Sequence, residues 1–177
     1  MNTLKNRSRS LAVAVVVLVA ASAAAAVAQK QLAARAASAG GRPEIKVTLA
    51  GAVARGAERV ALDKAGAVHP GDVLDWTINS ANEGDGAARQ YKTTGQIPSG
   101  TSFVRGSASA DGGAAVTYSI DNGKTFSPEP QVDERQPDGT VRRAPAPASM
   151  YTQVRYEWSD PLAAGASLSA SYKVRVR

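Results

Sequence analysis

Beyond residue 43 the chain repeatedly alternates apolar and polar residues with a period of two, the pattern of strands with one buried face. Ile45, Val47 and Leu49 share one side and Lys46 and Thr48 the other. Val60 and Leu62 repeat the pattern in a shorter run. After a turn at His69-Pro70-Gly71-Asp72, Leu74, Trp76 and Ile78 alternate with Asp75, Thr77 and Asn79. Trp76 is the expected core anchor of this strand. Residues 87–94 are read as a strand around Tyr91, 101–107 as a short strand carrying Phe103, and Val116, Tyr118 and Ile120 as another. Asn122-Gly123 follows, a hairpin signal because a type I′ turn needs two positive φ angles. Thr152, Val154, Tyr156 and Trp158 form one late strand, and Leu168, Ala170, Tyr172, Val174 and Val176 another. Residues 127–149 hold five prolines and little apolar content, so they are read as a long loop with room for a short edge strand near Val141. No stretch of 44–177 sustains a 3.6-residue period. Seven to nine strands and no helix predict an all-β, antiparallel, immunoglobulin-like sandwich over 44–177.

The N-terminus has a different pattern. Lys5, Arg7 and Arg9 precede an apolar run over 11–21, and small residues continue to Ala26-Val27-Ala28. This is the three-part layout of a secretory signal peptide, with cleavage expected after Ala28 and looser cuts after Ala24 or Ala26. The competing reading is a retained anchor, since 11–28 is near the lower length limit for a bilayer span. Seven of its last eight residues are Ala or Ser, and no cationic stop-transfer cluster follows, so cleavage is preferred and no membrane span is expected in the mature form. Residues 29–43 are Ala-rich with a single Leu and are read as a flexible tail.

Composition then narrows the chemistry. The formal charge of +6 falls to +3 once Lys5, Arg7 and Arg9 leave with residues 1–28. That balance demands no nucleic acid or anionic membrane as partner, and the Arg142-Arg143 pair is read as a solvated loop. The chain has no cysteine, which excludes disulfides, thiol nucleophiles and zinc–thiolate sites. Its single histidine, His69, leaves one base for any serine–histidine triad, and no nucleophile motif accompanies it.

One resemblance emerges from the motifs. The run Pro70-Gly71-Asp72-Val73-Leu74-Asp75-Trp76-Thr77-Ile78-Asn79-Ser80-Ala81-Asn82-Glu83-Gly84 resembles the opening of the conserved repeat domain of bacterial surface proteins, DUF11. Ile97-Pro98-Ser99-Gly100-Thr101-Ser102-Phe103-Val104 is similar to that family's Leu-Pro-x-Gly-x-x-Phe-Val turn. Leu162-Ala163-Ala164-Gly165 followed by Tyr172-Lys173-Val174-Arg175-Val176 looks like its closing hairpin. The resemblance covers about 45–177. It implies an immunoglobulin-like sandwich on exported bacterial or archaeal proteins, without enzyme activity or agreed binding residues. Gly95 departs from it, standing where the family often has Asp before its Leu-Pro turn.

The remaining candidates for chemistry have structural readings beside them. Ser119-Ile120-Asp121-Asn122-Gly123-Lys124-Thr125-Phe126 fits the Asp-box pattern of propeller hairpins, with Phe for Trp, and the chain has room for one such hairpin. A turn device is the preferred reading, with Asp121 accepting N–H bonds across the hairpin and Phe126 packed behind it. Asp72 and Asp75 are read as solvated residues at a strand start. Asp133, Glu134 and Asp138 lie in the 127–149 loop. Asn82-Glu83-Gly84-Asp85-Gly86 has the chemistry of a calcium loop but is too short and has no closing acid, so it is read as a turn. Trp76, Trp158, Tyr118, Tyr156 and Tyr172 could line a carbohydrate platform, but their alternation places them on inward rows.

No catalytic, cofactor-binding or metal-binding residue is assigned. The expectation is an exported, non-enzymatic β-sandwich that serves as a structural or protein-interaction module at the bacterial cell envelope. Its partner would be another envelope protein or a surface polymer, met by the 127–149 loop or a sheet edge. The alternative is an exported domain that binds carbohydrate or a small ligand.

Overall fold

A computed structural model describes residues 41–177 apart from Ala57. The expected leader and most of the Ala-rich tail, residues 1–40, lie outside the described residues. The chain from 41 onward is an all-β antiparallel sandwich. Its strands are β1 (Ile45–Arg55), β2 (Glu58–Ala61), β3 (Val73–Asn82), β4 (Lys92–Gln96), β5 (Thr101–Phe103), β6 (Ser109–Ala110), β7 (Ala115–Ser119), β8 (Gln131–Arg135), β9 (Val141–Pro145), β10 (Gln153–Glu157) and β11 (Ser167–Val176). Two single 3₁₀ turns, at Asp111–Gly113 and Ala148–Met150, are the helical residues among those described.

The large sheet runs β2-β1-β3-β11-β5, and β6 also pairs with β11. The smaller sheet runs β4-β10-β7. Register puts Leu74 beside Val174, Trp76 beside Tyr172 and Ile78 beside Ala170, and these even-numbered positions form the inner face. Val154 and Tyr156 of β10 and Trp158 just after it face them, and all three are buried. Phe103 on β5 meets Tyr118 on β7 at 5.1 Å between centroids. Tyr156 donates its hydroxyl to the Ser171 carbonyl of β11 at 2.6 Å. Tyr91, just before β4, donates to the Ser80 hydroxyl of β3 at 2.7 Å. Thus β7 lies over β5, β10 over β11 and β4 over β3. No strand of the smaller sheet lies over β1 or β2.

Three local expectations need correction. The strand read around Tyr91 is displaced to Lys92–Gln96, because Gln90 takes a positive φ of 52° and breaks the extended run before it. The 127–149 segment is not a loop throughout: β8 and β9 pair over five residues each, closed by Gln136-Pro137-Asp138-Gly139. Gly139 at φ 84° supplies the left-handed position that this turn requires. The Ser109–Ala110 strand is additional; it is a two-residue pairing on β11. The Asn-Gly turn takes its expected form, with Asn122 at φ 58° and Gly123 at φ 85°.

Candidate functional site

Among the described residues, two places stand out for leaving side chains or backbone without cover. The first is a groove beside β4. The inner-face positions of β1 are odd-numbered, from the pairing Leu49 with Ile78 and Val53 with Leu74. Val53 is fully buried in the core cluster, with Val60 beside it on β2. Val47 and Leu49 point the same way but are 51% and 60% exposed, because the smaller sheet stops one strand short of them. A cavity of about 300 Å³ results. Val47, Leu49, Ile78 and Trp76 make its floor, and residues 93–96 of β4 make one wall.

Two glycines shape this groove. Gly51 lets the Trp76 indole lie flat across β1, where a Cβ would collide with the ring. The indole is therefore half-buried, and its Nε1–H is shut from water without an acceptor. The expected core anchor is thus a wall between core and groove. Gly95 faces Tyr172, whose ring occupies the space a Cβ would need. That packing lets the Tyr172 hydroxyl donate to the Gln96 carbonyl. An Asp at position 95 would be driven into the ring, which accounts for the glycine at this point of the chain.

The second uncovered place is the β8–β9 hairpin. Eight of its ten strand residues are exposed; the paired Val132 and Ala144 near the root are partly covered, Val132 against the core. Its root is fixed: Pro130 and Ala146 are buried, the Ala146 N–H donates to the Pro130 carbonyl at 2.8 Å, and Arg105 Nη2 donates to the Ala146 carbonyl at 2.6 Å. Arg143 and Asp133 pair across the strands at 3.7 Å, both largely in water. Asp138 in the tip accepts from the Thr140 N–H and hydroxyl, and these bonds hold its carboxyl below the usual carboxylate range.

The residues singled out for chemistry are dispersed. His69 is exposed, and its N–H donates to Asp72 Oδ2 at 3.0 Å inside the turn. Asp75, expected to be solvated, is instead 7% exposed. It lies on the outer face of β3, between Arg59 at 2.6 Å and Lys173 at 3.1 Å. These long side chains from β2 and β11 close over the carboxylate and pair its charge. Asn82 is a fully enclosed staple. Its Oδ1 accepts from Glu44 and Gly84 N–H groups, and its Nδ2 donates to the carbonyls of Gly86, Leu162 and Ala163. The Asn82–Gly86 turn is thus held by the protein's own backbone. Among the described residues no group of three or more His, Cys, Asp or Glu side chains could hold a metal ion.

The Asp-box turn forms as a local network. Asp121 accepts from the Thr125 N–H at 2.9 Å, the Thr125 hydroxyl at 2.6 Å and the Ser119 hydroxyl at 2.7 Å. The Thr125 bonds come first among the causes that hold its carboxyl well below the ordinary range. Phe126 departs from the expectation. It lies under the Arg155 guanidinium, 3.4 Å from its ring centroid, on the outer side of β10 and away from the core.

The aromatic rows pack between the sheets. Trp158 stacks on Tyr91 at 5.5 Å, and Tyr151 joins Phe103 and Tyr118 at 5.6 Å and 5.0 Å. Sequence patterning did not single out Tyr151, which follows a 3₁₀ turn outside any alternating run. Burial pushes the Tyr156 hydroxyl up strongly and that of Tyr172 up to about 12. No family model, curated protein or solved structure matches this chain. Among the described residues no helix is long and apolar enough to cross a membrane.

Proposed function

We propose that the chain is an exported, non-enzymatic, immunoglobulin-like module of the DUF11 type that makes structural or protein contacts at the bacterial cell envelope. The observation that carries this reading is the β8–β9 hairpin, with eight of its ten strand residues exposed on a root locked into the core. A two-stranded ribbon is marginal by itself in water. Retaining one with so little buried surface is understandable if a partner supplies the missing cover. The leader pattern in 1–28 supports export, and the three quoted motifs support the family. In the fold, Pro70-Gly71 precedes β3, Ile97-Pro98-Ser99-Gly100 joins β4 to β5, and Leu162-Ala163-Ala164-Gly165 precedes β11.

The test compares the mature protein with a variant in which residues 131–145 are replaced by a short Gly-Ser link. The expected result is that an envelope component retained by the mature protein is lost by the variant, while the β-type circular dichroism spectrum persists. Equal retention by both proteins overturns the role of the hairpin. Turnover of a glycan or peptide substrate that survives purification to homogeneity overturns the non-enzymatic reading.

One observation favours the second reading, a small-ligand site: the half-exposed Trp76 in the groove. The lining offers few side chains able to hold sugar hydroxyls, since Val47, Leu49, Trp76, Ile78 and Pro98 dominate it. A shift of tryptophan emission on titration with oligosaccharides would revive that reading.

A further inference from the structure

The β8–β9 hairpin has two edges, and they differ. Its pairing register fixes which backbone groups face outward. The Ala146 N–H donates to the Pro130 carbonyl at the root, and the Gln136 N–H to the Thr140 carbonyl at the tip, each at 2.8 Å. Even-numbered residues therefore point into the hairpin and odd-numbered residues away from it. On β9 the outward positions are Val141, Arg143 and Pro145. Pro145 has no N–H to give, and Arg142 and Arg143 stand beside it, features that keep a further strand off an edge. On β8 the outward positions are Gln131, Asp133 and Arg135, each with its N–H and carbonyl. Among the described residues the small sheet ends there, and no other strand pairs with β8.

The charges along β8 are complementary to themselves in one register. When β8 meets a second β8 antiparallel, the outward odd-numbered residues must pair with one another. A register centred on Asp133 sets this carboxylate against its own counterpart, and one centred on Arg135 does the same with the guanidinium. Like charges directly opposite are destabilising. Centred on Val132, the tip of each hairpin would run past Pro130, which is buried in the body of the other copy. Beyond Arg135 the strand ends. Centred on Glu134, Asp133 of each copy lies opposite Arg135 of the other, and each such pair exchanges both backbone bonds. Glu134 is set against its own counterpart, with Arg142, its cross-strand neighbour in the hairpin, flanking it on either side. The two bodies then stand at opposite ends of the ribbon, each tip level with the other's root.

We infer that the β8 edge docks a second copy of this chain, β8 to β8 and antiparallel, about a two-fold axis through Glu134. The inference rests on the reading above that the hairpin takes its cover from outside its own chain, and it names the occupant. Two ribbons that are each marginal alone become one sheet of twice the width. The edges left outside are the two β9 strands, which Pro145 and the arginines guard, so assembly closes at the dimer. Five-residue strands meeting edge to edge fall short of the ~1,000 Å² of a stable interface, so the dimer is reversible.

The test uses the purified protein with no envelope component present. Sedimentation over a concentration series should show a monomer–dimer equilibrium. Arg135→Asp places like charges opposite each other in both pairs and should raise the dissociation constant about tenfold or more. The chain has no cysteine, so Glu134→Cys reports the axis. These positions face each other as a non-hydrogen-bonded pair, about 4.5 Å between Cα atoms, within reach of a disulfide. Oxidised Glu134→Cys should be a covalent dimer, while Val141→Cys, also exposed but on β9, should stay monomeric. Both substitutions lie on the exposed ribbon, away from the core. A monomer at every concentration, or equal bridging at 134 and 141, would overturn the inference. A monomeric protein whose hairpin still retains an envelope component would strike the inference and leave the proposed function standing. A dimer that retains none would do the reverse.

Discussion

Leu49 and Val53 stand on the same face of the same strand, four residues apart, yet one is 60% exposed and the other fully enclosed. Nothing in β1 itself distinguishes them. The difference lies in what the rest of the chain places above each. Val53 lies in the core cluster that Trp76, Val60 and Leu62 pack against, with Val60 beside it on β2. Over Leu49 the smaller sheet has already ended at β4. Alternation along a strand decides which face is apolar. Burial depends on the number of strands in the opposite layer, a long-range property.

The largest effect on this contrast should come from Gly95→Leu. The new side chain must enter the space of the Tyr172 ring; β4 cannot lift without breaking its pairing with β10, nor the ring move without losing its bond to the Gln96 carbonyl. Overpacking of this kind costs about 3 kcal/mol or more. Urea denaturation should show the midpoint fall with the slope unchanged. A loss below about 1 kcal/mol would mean that β4 is free to lift, and the groove would then have no fixed wall.

A smaller effect measures the contrast directly. Val53→Ala removes two buried carbons from a filled site and should cost about 2 kcal/mol. Val47→Ala should cost less than about 0.5 kcal/mol if its side chain stays in water.

The same contrast explains what was legible before any coordinates. Strands with one covered face announced themselves: β3, β10 and β11 follow the alternation through Leu74, Trp76 and Ile78, through Val154 and Tyr156, and through Tyr172 and Val174. Eight of the ten residues of β8 and β9 are exposed, so no binary pattern marks them. The available signal was local, Gln136-Pro137-Asp138-Gly139, a turn sequence with Pro to set φ and Gly for the left-handed residue. Asp75 was misjudged because its cover comes from Arg59 and Lys173, 16 residues before it and 98 after it. The groove was not legible at all. Val47 and Leu49 read as core, and only the three-strand width of the smaller sheet leaves them uncovered.

Alkali should weaken the covered region next. Tyr172 ionises near 10 when unfolded and near 12 in the sandwich, because burial disfavours the phenolate. The unfolded chain therefore loses its proton first. Between those values the native state binds more protons, so stability falls as pH rises through 10 and the fall ends near 12. The slope is about 1.4 kcal/mol per pH unit for each such tyrosine, and Tyr156, raised for the same reason, adds a second. Urea midpoints measured from pH 9 to 11 should show this decline, and Tyr172→Phe should halve its slope. An unchanged slope would place the Tyr172 ring in water.

The smallest effect belongs to the outer turn, where Asp121 is held by bonds and not by cover. Hydrogen bonds from Thr125 and Ser119 favour its ionised form, so its carboxyl stays charged below the 3.8 of a free aspartate. The sign is opposite to that of the tyrosines. The unfolded chain takes up a proton first as pH falls, so the stabilisation is complete above 3.8 and is lost as the solution becomes more acid. Water surrounds the turn and screens the interaction, so the loss should be slight beside the alkaline one. The direct measurement is the carboxyl titration of Asp121 by NMR. Thr125→Val deletes the hydroxyl donor and leaves the backbone N–H, so the titration should move part of the way back toward 3.8. A titration that stays where it was would show that the hydroxyl bond adds nothing to the turn. Movement all the way to 3.8 would show that the backbone bond fails without it.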